Sequence, residues 1–85
     1  METTTLLLIF KLISLLHIKT PQWLQDYCYD KILVASYLYQ HCSKDFTECW
    51  WWDDIYRPTK EEQEMMKTNV EQAIICQKFL YLNNE

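Results

Sequence analysis

The side chains best suited to chemistry in this sequence are four cysteines and two histidines. Cys28, His41, Cys42 and Cys49 could together supply four zinc ligands. Structural zinc sites normally use C-x2–4-C pairs, whereas His41 follows Cys28 by 13 residues and points about 100° away from the adjacent Cys42 on a helix. We therefore expect free thiols packed as small apolar groups and no metal site, with zinc and disulfide bonds as the alternatives.

Catalysis has little support in the residue pattern. A Cys–His pair could be assembled from Cys49 or Cys76 with His17 or His41, but no cluster of cations flanks either thiol to activate it. The chain contains no glycine, which excludes the loops that cradle phosphates and the backbone loops that bind an oxyanion. The pair Asp53-Asp54 could act as acid and base only inside a cleft. We expect a protein without catalytic residues or cofactor.

Three consecutive tryptophans are the most unusual feature of the chain. If the segment 45–58 forms a short aromatic helix capped by Asp45, the three rings fan over about 200° and cannot all face one core. The rings either close the open end of a helical bundle or include an anchor for a partner, because interface hot spots favour Trp, Tyr and Arg. The partner-binding candidates of this segment are Trp50, Trp51, Trp52, Asp53, Asp54, Tyr56 and Arg57.

Three longer helices must position this segment. The first, over about 5–18, is apolar on nearly every side, and the second, over about 21–43, has one apolar face. Thr20-Pro21 predicts the start of the second helix, with proline at the first helical position, and Thr4 or Thr5 can cap the first. Thr59 with Glu62 predicts a capping box at the start of a helix over about 60–82.

The last turns of that final helix are apolar on two faces. Met66 belongs to the main apolar stripe, whereas Ile75 and Phe79 fall roughly opposite to it. Ile75 and Phe79 are therefore added to the partner-binding candidates.

Size and charge restrict the function further. The chain has 85 residues, of which 49% are apolar, and a net charge of −4. One domain over 1–85 is the limit, and its core is marginal, so burial against a partner or self-association is expected. The acidic balance is the wrong sign for a protein that neutralises phosphates, so we expect no direct binding of nucleic acid.

The apolar N-terminal segment raises the question of targeting. Glu2 stands where a signal peptide carries a cation, Lys11 interrupts the apolar run, and no small-x-small site follows, so we expect no cleaved signal peptide. The run from Leu6 to Ile18 reaches only about 20 Å as a helix, too short to cross a bilayer. We expect a cytoplasmic protein.

The sequence thus predicts an all-α bundle of three main helices plus one short aromatic helix. Excess apolar surface favours a small acidic, non-enzymatic protein-binding module, an adaptor or an inhibitor of a larger protein. The alternative is a constitutive subunit of a homo-oligomer or larger assembly. A peripheral membrane protein is less favoured, because such helices usually carry a Lys/Arg-rich face and the first helix has a single lysine.

Overall fold

A computed structural model of the chain describes residues 1–51 and 54–82. The fold is mostly helical, as predicted, but the described residues also contain a small antiparallel two-stranded sheet in place of the short aromatic helix. In chain order the elements are α1 (Thr3–Leu16), α2 (Gln22–His41), β1 (Cys49–Trp51), β2 (Asp54–Tyr56) and α3 (Lys60–Cys76), followed by a π-helical segment (Gln77–Leu82).

The helix α1 lies about two residues earlier than predicted and ends at a left-handed residue. His17 has φ 53°, and the N–H groups of His17 and Ile18 donate to the carbonyls of Ser14 and Ile13 at 3.3 and 3.1 Å. This pair of bonds is the Schellman motif, which usually uses glycine. Histidine takes the left-handed conformation more readily than most residues, and it does so here in a chain without glycine. The predicted caps Thr4 and Thr5 lie inside α1, and its N-cap position is Glu2, which makes no side-chain capping bond.

The helix α2 begins one residue later than predicted, because Pro21 occupies the N-cap position rather than the first helical position. Thr20 contributes its carbonyl, which accepts a hydrogen bond of 3.0 Å from Nε2 of Gln25. The helix ends at His41.

The predicted capping box at the start of α3 is confirmed. The N–H of Glu62 donates to Oγ1 of Thr59 at 3.2 Å, and the N–H of Thr59 donates to Oε1 of Glu62 at 3.0 Å. Two N–H groups that the first turn cannot satisfy internally are thereby paired.

The helices α2 and α3 pack in opposite directions. The start of α2 meets the end of α3 at Cys28 and Cys76, and further along α2 the carbonyl of Lys31 accepts from Nδ2 of Asn69 at 3.2 Å. Two groups of buried side chains result. One, near the sheet, contains Ala35, Leu38, Cys42, Phe46, Cys49, Val70 and Ala73. The other, under α1, contains Leu6, Phe10, Leu24, Cys28, Cys76 and Leu80.

A single buried polar side chain among the described residues, Gln72, ties the N-terminal end of the chain to this second group. Its amide donates to the carbonyl of Met1 at 2.6 Å and accepts from the hydroxyl of Tyr27 at 2.6 Å. Because both ends of the amide are paired, its burial leaves no polar atom without a partner.

Within the described part of the chain, no helix has both the length and the apolarity that crossing a bilayer requires.

The segment predicted as a short aromatic helix forms a hairpin because Asp45 closes a turn instead of capping a helix. Oδ1 of Asp45 accepts from the hydroxyls of Ser43 and Thr47 at 3.0 and 2.7 Å. Polar side chains that bond to their own neighbourhood in this way compete with helix formation. The aromatic and β-branched residues that follow suit a pleated surface, and they pair as β1 and β2.

The cysteines are not free, which corrects the sequence-based expectation. Cys28 is bonded to Cys76, with their Cα atoms 5.4 Å apart, and Cys42 is bonded to Cys49, with their Cα atoms 3.9 Å apart. Spacing along the chain does not reveal these pairs. The antiparallel packing of α2 and α3 brings Cys28 to Cys76, and the turn after α2 brings Cys42 to Cys49. With all four sulfurs bonded, the zinc site weighed above has lost its thiolate ligands.

Candidate protein-interaction surface

The outer face of the hairpin carries an exposed apolar pair. Trp50 and Ile55 lie directly opposite each other in the antiparallel register, so their side chains share one face of the hairpin. Trp50 is 44% exposed and Ile55 is 59% exposed. The pair is therefore apolar surface that the monomer leaves in contact with water.

The opposite face of the hairpin is anchored to the protein. Cys49, which is next to Trp50 and points to the other side, is fully buried and bonded to Cys42 at the end of α2. The turn between them is closed by the N–H of Ser43, which donates to the carbonyl of Glu48 at 2.7 Å. The backbone beneath Trp50 is thus fixed covalently and by hydrogen bonds.

The last turn of α2 extends the exposed pair into a larger surface. Nδ1 of His41 lies 3.3 Å from the carbonyl oxygen of Trp50, and the ring of His41 packs on the ring of Tyr37 with 4.3 Å between the ring centroids. His41 thus contacts the backbone of β1 at Trp50, and Tyr37 contacts His41. We call Tyr37, His41, Trp50 and Ile55 the hairpin surface.

A hydrogen bond joins the hairpin to the capping box of α3. The hydroxyl of Tyr56 donates to Oε2 of Glu62, the same carboxylate that accepts from the N–H of Thr59. The hydrogen bond from Tyr56, followed by the bond from the Thr59 backbone, lowers the pKa of the Glu62 carboxyl. The same bond to the carboxylate is the main cause that raises the pKa of the Tyr56 hydroxyl. Both shifts favour the ionised carboxylate paired with the neutral phenol.

The turn before the hairpin contains another stabilised carboxylate. Hydrogen bonds from the Thr47 and Ser43 hydroxyls lower the pKa of the Asp45 carboxyl. The charged form of Asp45 is therefore the one that holds the turn after α2, and Asp45 has a structural role in that turn.

The predicted site residues divide into two groups that the fold does not bring together. Trp50, Tyr56, Asp54 and Arg57 belong to the hairpin or its continuation, and Asp54 and Arg57 are exposed. Ile75 and Phe79 are partly buried against the group of side chains under α1, where the ring of Phe79 stacks on Phe10 at 5.1 Å between centroids.

Part of the predicted site lies outside the described residues. This is the case for Trp52, Asp53 and the side chain of Trp51, of which only the backbone pairing with Asp54 is described.

Three members of the hairpin surface were not among the predicted residues. Ile55 was embedded in the predicted segment, and alternation along a strand would have placed it beside Trp50 had a hairpin been considered. Tyr37 and His41 are four residues apart on α2, a spacing that places two side chains on one face. This spacing is visible in the sequence, but nothing in the sequence indicates that this face of α2 lies next to the tryptophans.

The chain fits no protein-family model, and no characterised protein and no solved structure resembles it significantly, so its function has to be argued from these surfaces.

Proposed function

We propose that this protein is a small, non-enzymatic binding module, an adaptor or inhibitor, that docks on a larger protein through the hairpin surface. The observation that carries the proposal is the exposed Trp50–Ile55 pair on a backbone held by a disulfide bond. Tryptophan and tyrosine are enriched among the residues that dominate binding energies. A surface that is already rigid before binding loses little conformational entropy when a partner covers it.

The charges beside the hairpin surface fit the rim of such an interface. Asp54 and Arg57 are exposed and lie one residue before and two residues after Ile55 along the chain. Rim charges of this kind influence the rate of association and partner choice more than the final affinity. A non-enzymatic role is supported by the cysteines, because sulfurs bonded to each other cannot act as nucleophiles.

The two disulfide bonds also bear on where the protein works. The expectation of a cytoplasmic location rested on the lack of signal-peptide features and of a segment that could span a bilayer, and the two disulfide bonds speak against it. Disulfide bonds persist in oxidising environments and are common in small domains with limited cores. We therefore place the binding function in an oxidising compartment or outside the cell.

The test is a quantitative capture with matched variants. The oxidised protein is immobilised and exposed to extract of its native source under non-reducing conditions, and captured proteins are quantified by mass spectrometry. Each captured candidate is then titrated against Trp50→Ala and Ile55→Ala. Trp23→Ala is the matched control, since Trp23 is 56% exposed at the opposite end of α2.

The expected result is a stoichiometric partner whose affinity falls about 30-fold with Trp50→Ala, equivalent to about 2 kcal/mol, and stays unchanged with Trp23→Ala. A partner that binds Trp50→Ala as tightly as it binds Trp23→Ala would contradict the proposal. A self-associated species that Trp50→Ala disperses would instead assign the hairpin surface to a constitutive oligomer, the alternative considered from the sequence.

A further inference from the structure

The outer side of α1 carries a continuous run of exposed leucines. Leu6 and Phe10 face the protein, and the side chains turned away from them are Leu8, Leu12, Leu15 and Leu16, which we call the leucine face. Each is more than half exposed, and Leu15 is 74% exposed. Four leucines on one helical surface are more than the scattered apolar residues that a monomer normally exposes.

The charge around the leucine face differs in sign from that of the rest of the chain. Between Glu2 and Asp26 the sequence contains no acidic residue, while it contains Lys11 and Lys19. Both lysines are exposed, and Lys11 lies at the edge of the leucine face. The segment 3–25 therefore carries two positive side chains and no negative one, and Glu2 is at the N-cap of α1, at the opposite end of the helix from Leu15 and Leu16.

The sequence alone ranks a peripheral membrane protein below a protein-binding module, because the first helix has a single lysine. The structure adds that the leucines of α1 are uncovered and that an exposed Lys19 follows soon after the helix. We therefore propose that the leucine face docks on the surface of a lipid bilayer that contains anionic phospholipids, with α1 lying in the plane of the interface. A 14-residue helix is about 21 Å long, which is shorter than the bilayer core of about 30 Å but sufficient to lie along its surface. Leucine side chains enter the boundary of the acyl chains, while the lysine stems extend and place their ammonium groups among the headgroup phosphates.

A second copy of the chain fits the leucine face less well than a membrane does. An isologous contact between two leucine faces would bring two identical acid-free regions together, with Lys11 and Lys19 of each copy unpaired by any opposite charge from the other. The leucine face also lacks the Trp, Tyr and Arg side chains that dominate protein interfaces, and these occur instead on the hairpin surface.

The test measures co-sedimentation with vesicles. We expect the oxidised protein to bind vesicles of equimolar phosphatidylcholine and phosphatidylserine, and to bind pure phosphatidylcholine vesicles much more weakly. The double variant Leu12→Gln/Leu15→Gln should bind at least about 10-fold more weakly. Leu33→Gln is the matched control, because Leu33 is an exposed leucine on α2. Circular dichroism verifies that each variant is folded.

A second pair of variants tests the charge. Lys11→Gln/Lys19→Gln should lower binding to the anionic vesicles about 30-fold, since each lysine near such a surface contributes about 1 kcal/mol. Lys60→Gln/Lys67→Gln, which removes two exposed lysines from α3, should change it little.

Absence of binding to the anionic vesicles, or equal binding by the leucine variant, would overturn the proposal. So would sedimentation equilibrium showing a dimer that Leu12→Gln/Leu15→Gln dissociates, because a second copy would then cover the leucine face. None of these outcomes bears on the hairpin surface, whose variants are tested separately.

Discussion

Trp50 combines a fixed backbone with a ring that is only partly covered. Its carbonyl lies within hydrogen-bond distance of the His41 ring, and its cross-strand neighbour is Ile55. The large costs of Trp→Ala replacements, about 3–5 kcal/mol, apply to buried rings that leave a cavity. We expect Trp50→Ala to lower the free energy of unfolding by less than about 1.5 kcal/mol, as measured by urea denaturation. A loss in the range for buried rings would assign Trp50 to the core.

Glu62 makes part of the stability depend on pH. Its folded pKa is lowered, with the Tyr56 hydrogen bond as the first cause, so its contribution is present above the unfolded value of about 4.3 and is lost as the pH falls through the folded pKa. Glu62→Gln keeps a side chain that suits the capping box but no longer titrates. In urea denaturation between pH 7 and pH 2, the variant should lose less stability on acidification than the wild type does. If the free energy of unfolding of the two proteins fell equally on acidification, the titration of Glu62 would not be coupled to folding.

At the scale of single elements, the start of α3 offers a direct measure of capping. Thr59→Ala removes the hydroxyl that accepts from the N–H of Glu62. We expect the free energy of unfolding to fall by about 1 kcal/mol, with helical circular dichroism retained in the absence of denaturant. Thr68→Ala is the control, since Thr68 is an exposed threonine within α3, and it should leave stability equal or slightly higher. Equal losses in both variants would exclude a specific role for the cap.

The disulfide bonds act on the whole molecule, and they act unequally. Cys28 and Cys76 are separated by 48 residues and Cys42 and Cys49 by 7. The chain-entropy account of disulfide stabilisation gives about 4 kcal/mol for the longer loop and about 2 kcal/mol for the shorter one. We therefore expect Cys28→Ala/Cys76→Ala to lower the urea midpoint more than Cys42→Ala/Cys49→Ala does. The opposite order would show that the short loop stabilises the native hairpin itself.

The sequence predicted those parts of the fold that depend on neighbouring residues. The spacing of apolar side chains located α1 and α2 to within about two residues, and Thr59 with Glu62 located the start of α3. The predicted end of α3 differs, because a π-helical segment occupies its last six predicted residues. The hairpin was missed because Asp45 can cap a helix or close a turn with equally local bonds, and the turn that it closes lies between Cys42 and Cys49, whose pairing the sequence did not indicate. Pairing of cysteines is tertiary information, and the spacing along the chain does not contain it.

The hairpin surface could be predicted only in part for the same reason. The tryptophan run marked the segment, and Trp50 is indeed exposed. The contribution of Tyr37 and His41 arises because the hairpin folds back on the last turn of α2. Ile75 and Phe79 were grouped with the tryptophans on the basis of apolar surface alone, whereas the antiparallel packing of α2 and α3 places them with the group of side chains under α1 and not with the group near the hairpin.

The helix α2 separates the two disulfide bonds by a fixed length. Cys28 lies on α2 and Cys42 directly follows its last residue, 14 residues further along the chain, or about 21 Å along the helix axis. The disulfide bond at Cys28 holds the region on which α1 packs, and the disulfide bond at Cys42 holds the hairpin. A partner on the hairpin surface would therefore stand at a constant height above a bilayer that holds α1. Energy transfer from a donor on the hairpin to acceptors in the bilayer would report one narrow distance, and reduction of the disulfides would broaden it.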